Sequence, residues 1–138
     1  MRVLVTDGDN RAALAVVRSL GRAGHEVLVG AKQTPSLAQS SRYCRQRLVY
    51  PDPVSAPDVF VEHLVEDVRT HAIEALLPIS DVTTFLVTRH RELFPAACGI
   101  PFASADTVER AADKVDMLRT ASRLGLPVPK TIVIRTPG

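Results

Sequence analysis

Covalent and metal-built scaffolds are what this sequence has least material for. It holds two cysteines in 138 residues, Cys44 and Cys98. Their separation fits neither a disulfide framework nor a CxxC metal motif. The four histidines, His25, His63, His71 and His90, include no pair at i, i+4, which leaves a zinc site without support. No apolar run approaches the roughly 18–20 residues that cross a bilayer. The strand-like opening RVLVT follows Met1 without the charged and apolar regions of a signal peptide. A cytoplasmic placement with no membrane attachment is expected. The net charge of +2 is too small to demand a polyanionic partner. One dense basic cluster, SRYCRQR at 41–47, has a single aromatic residue and no repeat. It reads as a solvated loop and strand edge, not as a nucleic-acid surface. Internal repeats and low-complexity tracts are absent.

What is present suits a globular domain. Apolar residues make up 46% and charged residues 23%, enough apolar surface to offset the entropy of ordering the backbone. The length allows one domain with a real core and hardly two.

Strand and helix patterns alternate along the chain. RVLVT (2–6) reads as a buried strand ended by Asp7-Gly8-Asp9-Asn10. A helix follows, with Ala13, Val17, Leu20 and Gly21 on one stripe, Asp9 or Asn10 as its N-cap and Gly24 beyond its end. HEVLVG (25–30) is a second strand, completing a parallel, right-handed βαβ unit. Residues 31–44 are polar and without period, and read as a loop. RQRLVYP (45–51) is a third strand. The helix after it is expected to use Ser55 as cap and Pro57 in its first turn, with Phe60, Leu64 and Val68 inward. ALLPI (75–79) reads as a central strand. A helix over 80–93 should begin at Ser80 or Asp81 and face Val82, Phe85, Leu86 and Leu93 inward. A weaker fifth strand is expected at 100–103, then a short helix to about residue 112. The pattern predicts a doubly wound, mainly parallel Rossmann-like α/β sheet of four to five strands with helices on both faces.

In such sheets ligands gather beyond the carboxyl ends of the strands. The first turn, TDGDNR, keeps one glycine where GxGxxG wants three. Asp7 and Asp9 also place negative charge where a pyrophosphate would lie, which argues against NAD. Backbone N–H groups at Gly8, Asp9 and Asn10 could still hold a small anion, although Asp at a helix start is explained by capping alone. At the second turn, LPISDVTT, the residues Ser80, Asp81, Thr83 and Thr84 could hold a polar substrate. Helix capping accounts equally well for Ser80 or Asp81.

The C-terminal stretch AADKVDMLRTASRLGLPVPKT begins a helix near Asp113. It points Val115, Leu118, Ala121 and Leu124 inward, closes at Gly125 and leaves through Pro127 and Pro129 into KTIVI. This arrangement resembles the ATP-grasp ligase superfamily, in which a Rossmann-like domain precedes a helix opening in Asp-Lys or Ser-Lys and ending in Gly-x-Pro-x-Pro. VLVTDGDNRAALAVVRSLGRAGHEVLVG, SSRYCRQRLVYPDP and LLPISDVTTFLVTRHREL are similar to the carboxylate–amine ligase and carbamoyl-phosphate-synthase-like branch.

The resemblance implies an enzyme that uses ATP and Mg²⁺ to turn a carboxylate into an acylphosphate, which an amine or similar nucleophile attacks. It implies a pre-ATP-grasp domain at 1–112, then a linker helix and the first strand of an ATP-grasp domain at 113–138. Lys114 matches the lysine that reaches the ATP phosphates; Gly8, Asp9, Asn10, Ser80, Asp81 and Thr84 fall on the substrate side. The family's second lysine, glycine-rich loop and Mg²⁺-holding carboxylates belong to subdomains beginning near Lys130, and Lys130 does not match that second lysine. No catalytic or metal-binding residue is therefore assigned. The chain is expected to lack its C-terminal ATP-grasp partner domain, to be inactive alone, and to bind ATP weakly or not at all. Its small-molecule partner would be a carboxylate, with neither nucleic acid nor membrane involved. An exposed Ile132-Val133-Ile134 tail could pair two copies edge to edge as a homodimer. Two other readings are a free-standing Rossmann-like nucleotide- or metabolite-binding module and a fragment of an NAD(P)-dependent reductase or epimerase.

Overall fold

The apolar runs do form the sheet. The structure, a computed structural model, describes residues 1–132. Four strands, β1 (Arg2–Val5), β2 (Glu26–Ala31), β3 (Cys44–Val49) and β4 (Ala75–Leu77), pair in the order β3-β2-β1-β4. Every pairing is parallel. Side chains alternate across the pleat, and the register turns that alternation into two layers. Leu28, Leu4 and Leu76 are opposed across three strands, and all three are buried with α2 (Pro57–Thr70) and α3 (Asp81–Arg89) on one face. Val3, Val5, Val27 and Val29 point to the other face, where Ala13 and Val17 of α1 (Arg11–Arg22) cover them. A sheet apolar on both sides must be covered on both sides. The result is a doubly wound, Rossmann-like α/β domain.

Several boundaries differ from expectation, each for a physical reason. Ala56, not Ser55, caps α2, and its side chain makes no capping bond; Pro57 instead supplies a φ already suited to the first turn. Helix α3 ends at Arg89 and a 3₁₀ turn at Arg91–Leu93 follows. Val82 and Leu93, expected inward, are exposed, whereas Thr83 and Val87 are fully buried. No fifth strand forms at 100–103. One parallel bridge joins Gly99 to Ala75; then Pro101 removes a donor and Arg91 takes the carbonyls of Ile100, Phe102 and Ala103 at 3.1, 2.7 and 3.1 Å.

The two last helices, α4 (Ala105–Ala112) and α5 (Lys114–Arg123), bury no residue. Val115, Leu118 and Ala121 are only half-buried, and Leu124 is exposed, so the expected inward stripe is only partly covered among the described residues. Val133 and Ile134 of the expected strand lie outside the described residues.

The polar segment 31–44 is not a free loop. Its 3₁₀ turn at Ala38–Ser40 places Gln39 at 1% exposure. The amide of Gln39 donates to Val29 O at 3.0 Å and Leu48 O at 2.9 Å, and accepts from Ser36 N–H at 3.1 Å. One side chain thus ties β2, β3 and their crossover together. Gln39→Leu would strand these buried backbone groups and is expected to cost roughly 2–4 kcal/mol. Urea unfolding checks it: an unchanged midpoint would mean the amide is dispensable.

Candidate functional site

The order β3-β2-β1-β4 sends the connection after β1 to one face and that after β4 to the other. The crevice of a doubly wound sheet lies where the connections part. Here that gap is closed by a carboxylate. Asp7, at φ 58°, occupies the left-handed region that Asp tolerates better than most residues. Its Oδ2 accepts from Ile79 N–H at 3.1 Å, Ser80 N–H at 3.0 Å, and the hydroxyls of Thr6 and Thr83, both at 2.6 Å. Its Oδ1 accepts from Ser80 Oγ at 3.1 Å. Ser80 Oγ in turn accepts from Thr83 N–H at 3.3 Å as the N-cap of α3. A negative charge seated on a helix N-terminus is favoured by both hydrogen bonds and dipole. The same demand explains why Thr83 faces inward in place of Val82.

Tyr50 approaches Asp7 from β3. Its ring lies over Gly30, where an added Cβ would fall 2.6 Å from Tyr50 Cε1, and meets Phe60 edge-on with centroids 4.8 Å apart. The hydroxyl accepts from Asp7 N–H at 2.7 Å. Burial, and then the charge of Asp7, hold the Tyr50 phenol well above its ordinary value of 10.0.

Around this knot the strand ends frame a cleft of about 230 Å³. Asp7, Asp9, Asn10 and Ser80 line it together with Lys32 and Asp52. Lys32 Nζ and Asp52 Oδ2 are paired at 3.1 Å. A backbone bond from Val54 N–H, followed by Lys32, lowers the Asp52 carboxyl from its usual range. Three carboxylates against one ammonium leave the cleft net negative, with Asp7 and Asp52 already committed to the partners above.

Of the residues singled out from the sequence, the structure brings Asp9, Asn10 and Ser80 to this cleft. Gly8 is buried beneath it: its N–H donates to Gly30 O at 3.0 Å and its carbonyl accepts from Ala38 N–H at 2.7 Å. An added Cβ there would stand 2.4 Å from Ser36 Oγ, so close packing explains this glycine. Asn10 N–H is likewise committed, to Asp7 O at 2.8 Å, while Asn10 Oδ1 caps α1 through Ala12 N–H. Two of the three backbone donors expected to face an anion are therefore occupied. Asp81 is exposed in the first turn of α3, and Thr84 is half-buried with its N–H on Ser80 O; neither lines the cleft. Lys114 stands exposed at the start of α5, behind the Asp113 cap, and is not part of the cleft wall. Sequence reasoning missed Tyr50, Lys32 and Asp52, which become neighbours only through the sheet order. Among the described residues no group of three or more His, Cys, Asp and Glu side chains is placed to hold a metal ion, and no helix is long and apolar enough to cross a membrane.

Fold and cleft define a Rossmann-like domain with its crevice at the strand carboxyl ends. No protein-family model matches the sequence, and no curated protein matches it significantly. Solved structures do. The chain is similar to glycinamide-RNase-transformylase T from Mycobacterium tuberculosis, with TM-score 0.63 and 22% identity over 92% of this chain and 36% of that one. An L-amino acid ligase from Bacillus licheniformis gives 0.69 and 10% over 93% and 31%. The biotin carboxylase domain of a single-chain bacterial carboxylase gives 0.64 and 20% over 92% and 30%. The identities are low, so the likeness shows a shared fold. The chain spans about a third of the length of each of these three.

Two outcomes test the knot. Asp7→Asn keeps a residue tolerant of positive φ but loses the charge that five donors face; it is expected to cost about 2–3 kcal/mol, read by denaturant unfolding at neutral pH. The Tyr50 phenol gives a pH signature. Its folded value is raised, so its contribution is complete below the unfolded value of about 10 and is lost as pH climbs above it. Spectrophotometric titration should show one tyrosine ionising near or below its ordinary range and the other only together with alkaline unfolding. Two overlapping ordinary transitions in folded protein would contradict the geometry.

Proposed function

We propose that the chain is the N-terminal, substrate-side domain of a larger ATP-grasp enzyme, one that activates a carboxylate as an acylphosphate for attack by an amine or similar nucleophile. The observation that carries this reading is the pairing of a fold matched over 92% of the chain with only 30–36% of much longer enzymes, together with the Asp-Lys helix and Gly-Leu-Pro-Val-Pro exit at its C-terminal end.

On this reading Lys114 meets the phosphates of ATP at a wall completed by a following domain. An ammonium there suits the charge on transferring phosphoryl oxygens. Its position at the start of α5, against the local dipole, has no stabilising purpose of its own. The described residues do not assemble a Mg²⁺ site; the metal and the adenine contacts are assigned to the following domain, and no step of the reaction is routed through this chain's carboxylates. The strand-end cleft, lined by Asp7, Asp9, Asp52 and Lys32 among others, fits an ammonium group of the substrate better than its carboxylate, because its side chains carry a net negative charge.

Calorimetry of the 138-residue chain with Mg-ATP is expected to show no micromolar binding, and such binding would overturn the domain assignment. In the product of the complete reading frame, Lys114→Ala should lower ATP turnover on the order of a hundredfold. Unchanged turnover would remove Lys114 from the nucleotide site.

A further inference from the structure

The basic cluster at 41–47 takes on a different aspect once folded. Residues 38–43 run back along α1, and between them lies a second cavity of about 340 Å³. Arg18 and Arg22 line one side, Ser40, Ser41, Arg42 and Tyr43 the other, with no acidic residue in its wall. We propose that this cavity binds a phosphate-bearing small anion. It lies where α1 ends and β3 begins, at the amino ends of the strands, so it is distinct from the strand-end cleft and independent of the function proposed above.

Three features support it. Arg18 and Arg22 stand at i, i+4, where like charges weaken a helix. Neither they nor Arg42 makes an ion pair among the described residues, where the ion-paired arginines are Arg2, Arg89 and Arg110. The last-turn dipole accounts for Arg22 alone. Second, the cavity is shaped by close packing: a Cβ on Gly21 would fall 2.4 Å from Tyr43 Cβ and 2.5 Å from its ring. A helix-weakening glycine thus lets Tyr43 pack close against α1, and Arg42 shares the cavity wall with Arg18 and Arg22. Third, donors remain to spare. Arg42 donates to Tyr43 Oη at 2.8 Å and sits 4.9 Å from the ring centroid. Tyr43 and Ser41 act as acceptors in their own bonds, which leaves their hydroxyl protons free to donate; only Ser40 has spent its proton, on Ser36 O. Three guanidiniums and two O–H donors around one cavity match the charge and oxygen count of a phosphate group. The hydrogen bond from Arg42, aided by Arg22, holds the Tyr43 phenol below its ordinary value, as a site of positive potential should.

The test is titration of the chain at low salt with inorganic phosphate and pyrophosphate, followed by calorimetry and amide NMR. Expected are saturable 1:1 binding, shifts centred on Ser41 and Tyr43, and about tenfold weaker affinity in Arg22→Gln and Arg42→Gln. Arg45→Gln, outside the cavity, should bind normally, and saturation should raise the Tyr43 phenol toward its ordinary value. Either no saturation by about 10 mM or an equal loss in Arg45→Gln overturns the site. Tighter binding of a single-stranded oligonucleotide, weakened equally by Arg45→Gln and Arg47→Gln, would replace it with a nucleic-acid surface.

Discussion

The carboxylate of Asp7 sits where two halves of a parallel sheet diverge, and the geometry of the whole carboxyl end follows from satisfying it. β1 and β4 are neighbours, yet the chain leaves them toward opposite faces. Such a junction leaves backbone donors of the β4–α3 turn without ladder partners, and buried donors must be paired. Asp7 takes two of them, Ile79 and Ser80 N–H, and three hydroxyls besides. Its own N–H goes to Tyr50, so β3 is drawn into the same arrangement. A crevice that other Rossmann-like domains leave open to a ligand is here occupied partly by the protein's own charge. The remaining cleft runs from Asp7, Tyr50 and Ser80 to Asp9, Lys32 and Asp52.

The rest of the sheet is held by a simpler rule. In β1 and β2 the leucines take one face and the valines the other: the leucine layer meets Phe60 and Leu64 of α2, and the valine layer, joined by Leu77 of β4, meets Ala13 and Val17 of α1 with Leu14 and Leu20 packed beside them. A one-residue slip of β1 or β2 would exchange Leu4 or Leu28 with the neighbouring valines, at the cost of overpacking on one face and cavities on the other. Register is thus encoded by side-chain size as well as polarity.

That rule explains what could be read in advance. Strands and amphipathic helices were legible because their signals are local apolar periods. Thr83 and Gln39 were not, because each is buried to serve polar groups distant in sequence, Asp7 in one case and the β2–β3 carbonyls in the other. A periodic reading sends Val82 inward and the threonine out; the hydrogen-bond demand of Asp7 reverses them. The weak strand at 100–103 failed for a related reason, since Arg91 competes successfully for its carbonyls. In the candidate site, Asp9, Asn10 and Ser80 were accessible as turn residues. Lys32, Tyr50 and Asp52 follow strands that become neighbours only through the sheet order.

Net charge conceals a further consequence of the fold. The sequence total is +2, near enough to neutral to suggest no preference for charged ligands. Two clusters of opposite sign nevertheless stand at opposite ends of the sheet. Residues after strands gather Asp7, Asp9 and Asp52 against Lys32, while the end of α1 and the approach to β3 gather Arg18, Arg22 and Arg42. These side chains are mostly exposed, and salt screens exposed charges beyond roughly 8–10 Å, so each end acts on a ligand through its own nearby groups. A ligand carrying an ammonium and one carrying a phosphate would therefore be drawn to opposite ends of the same four strands. Strand direction places the two clusters: with every strand parallel, each turn after a strand lands at one end and each approach to a strand at the other.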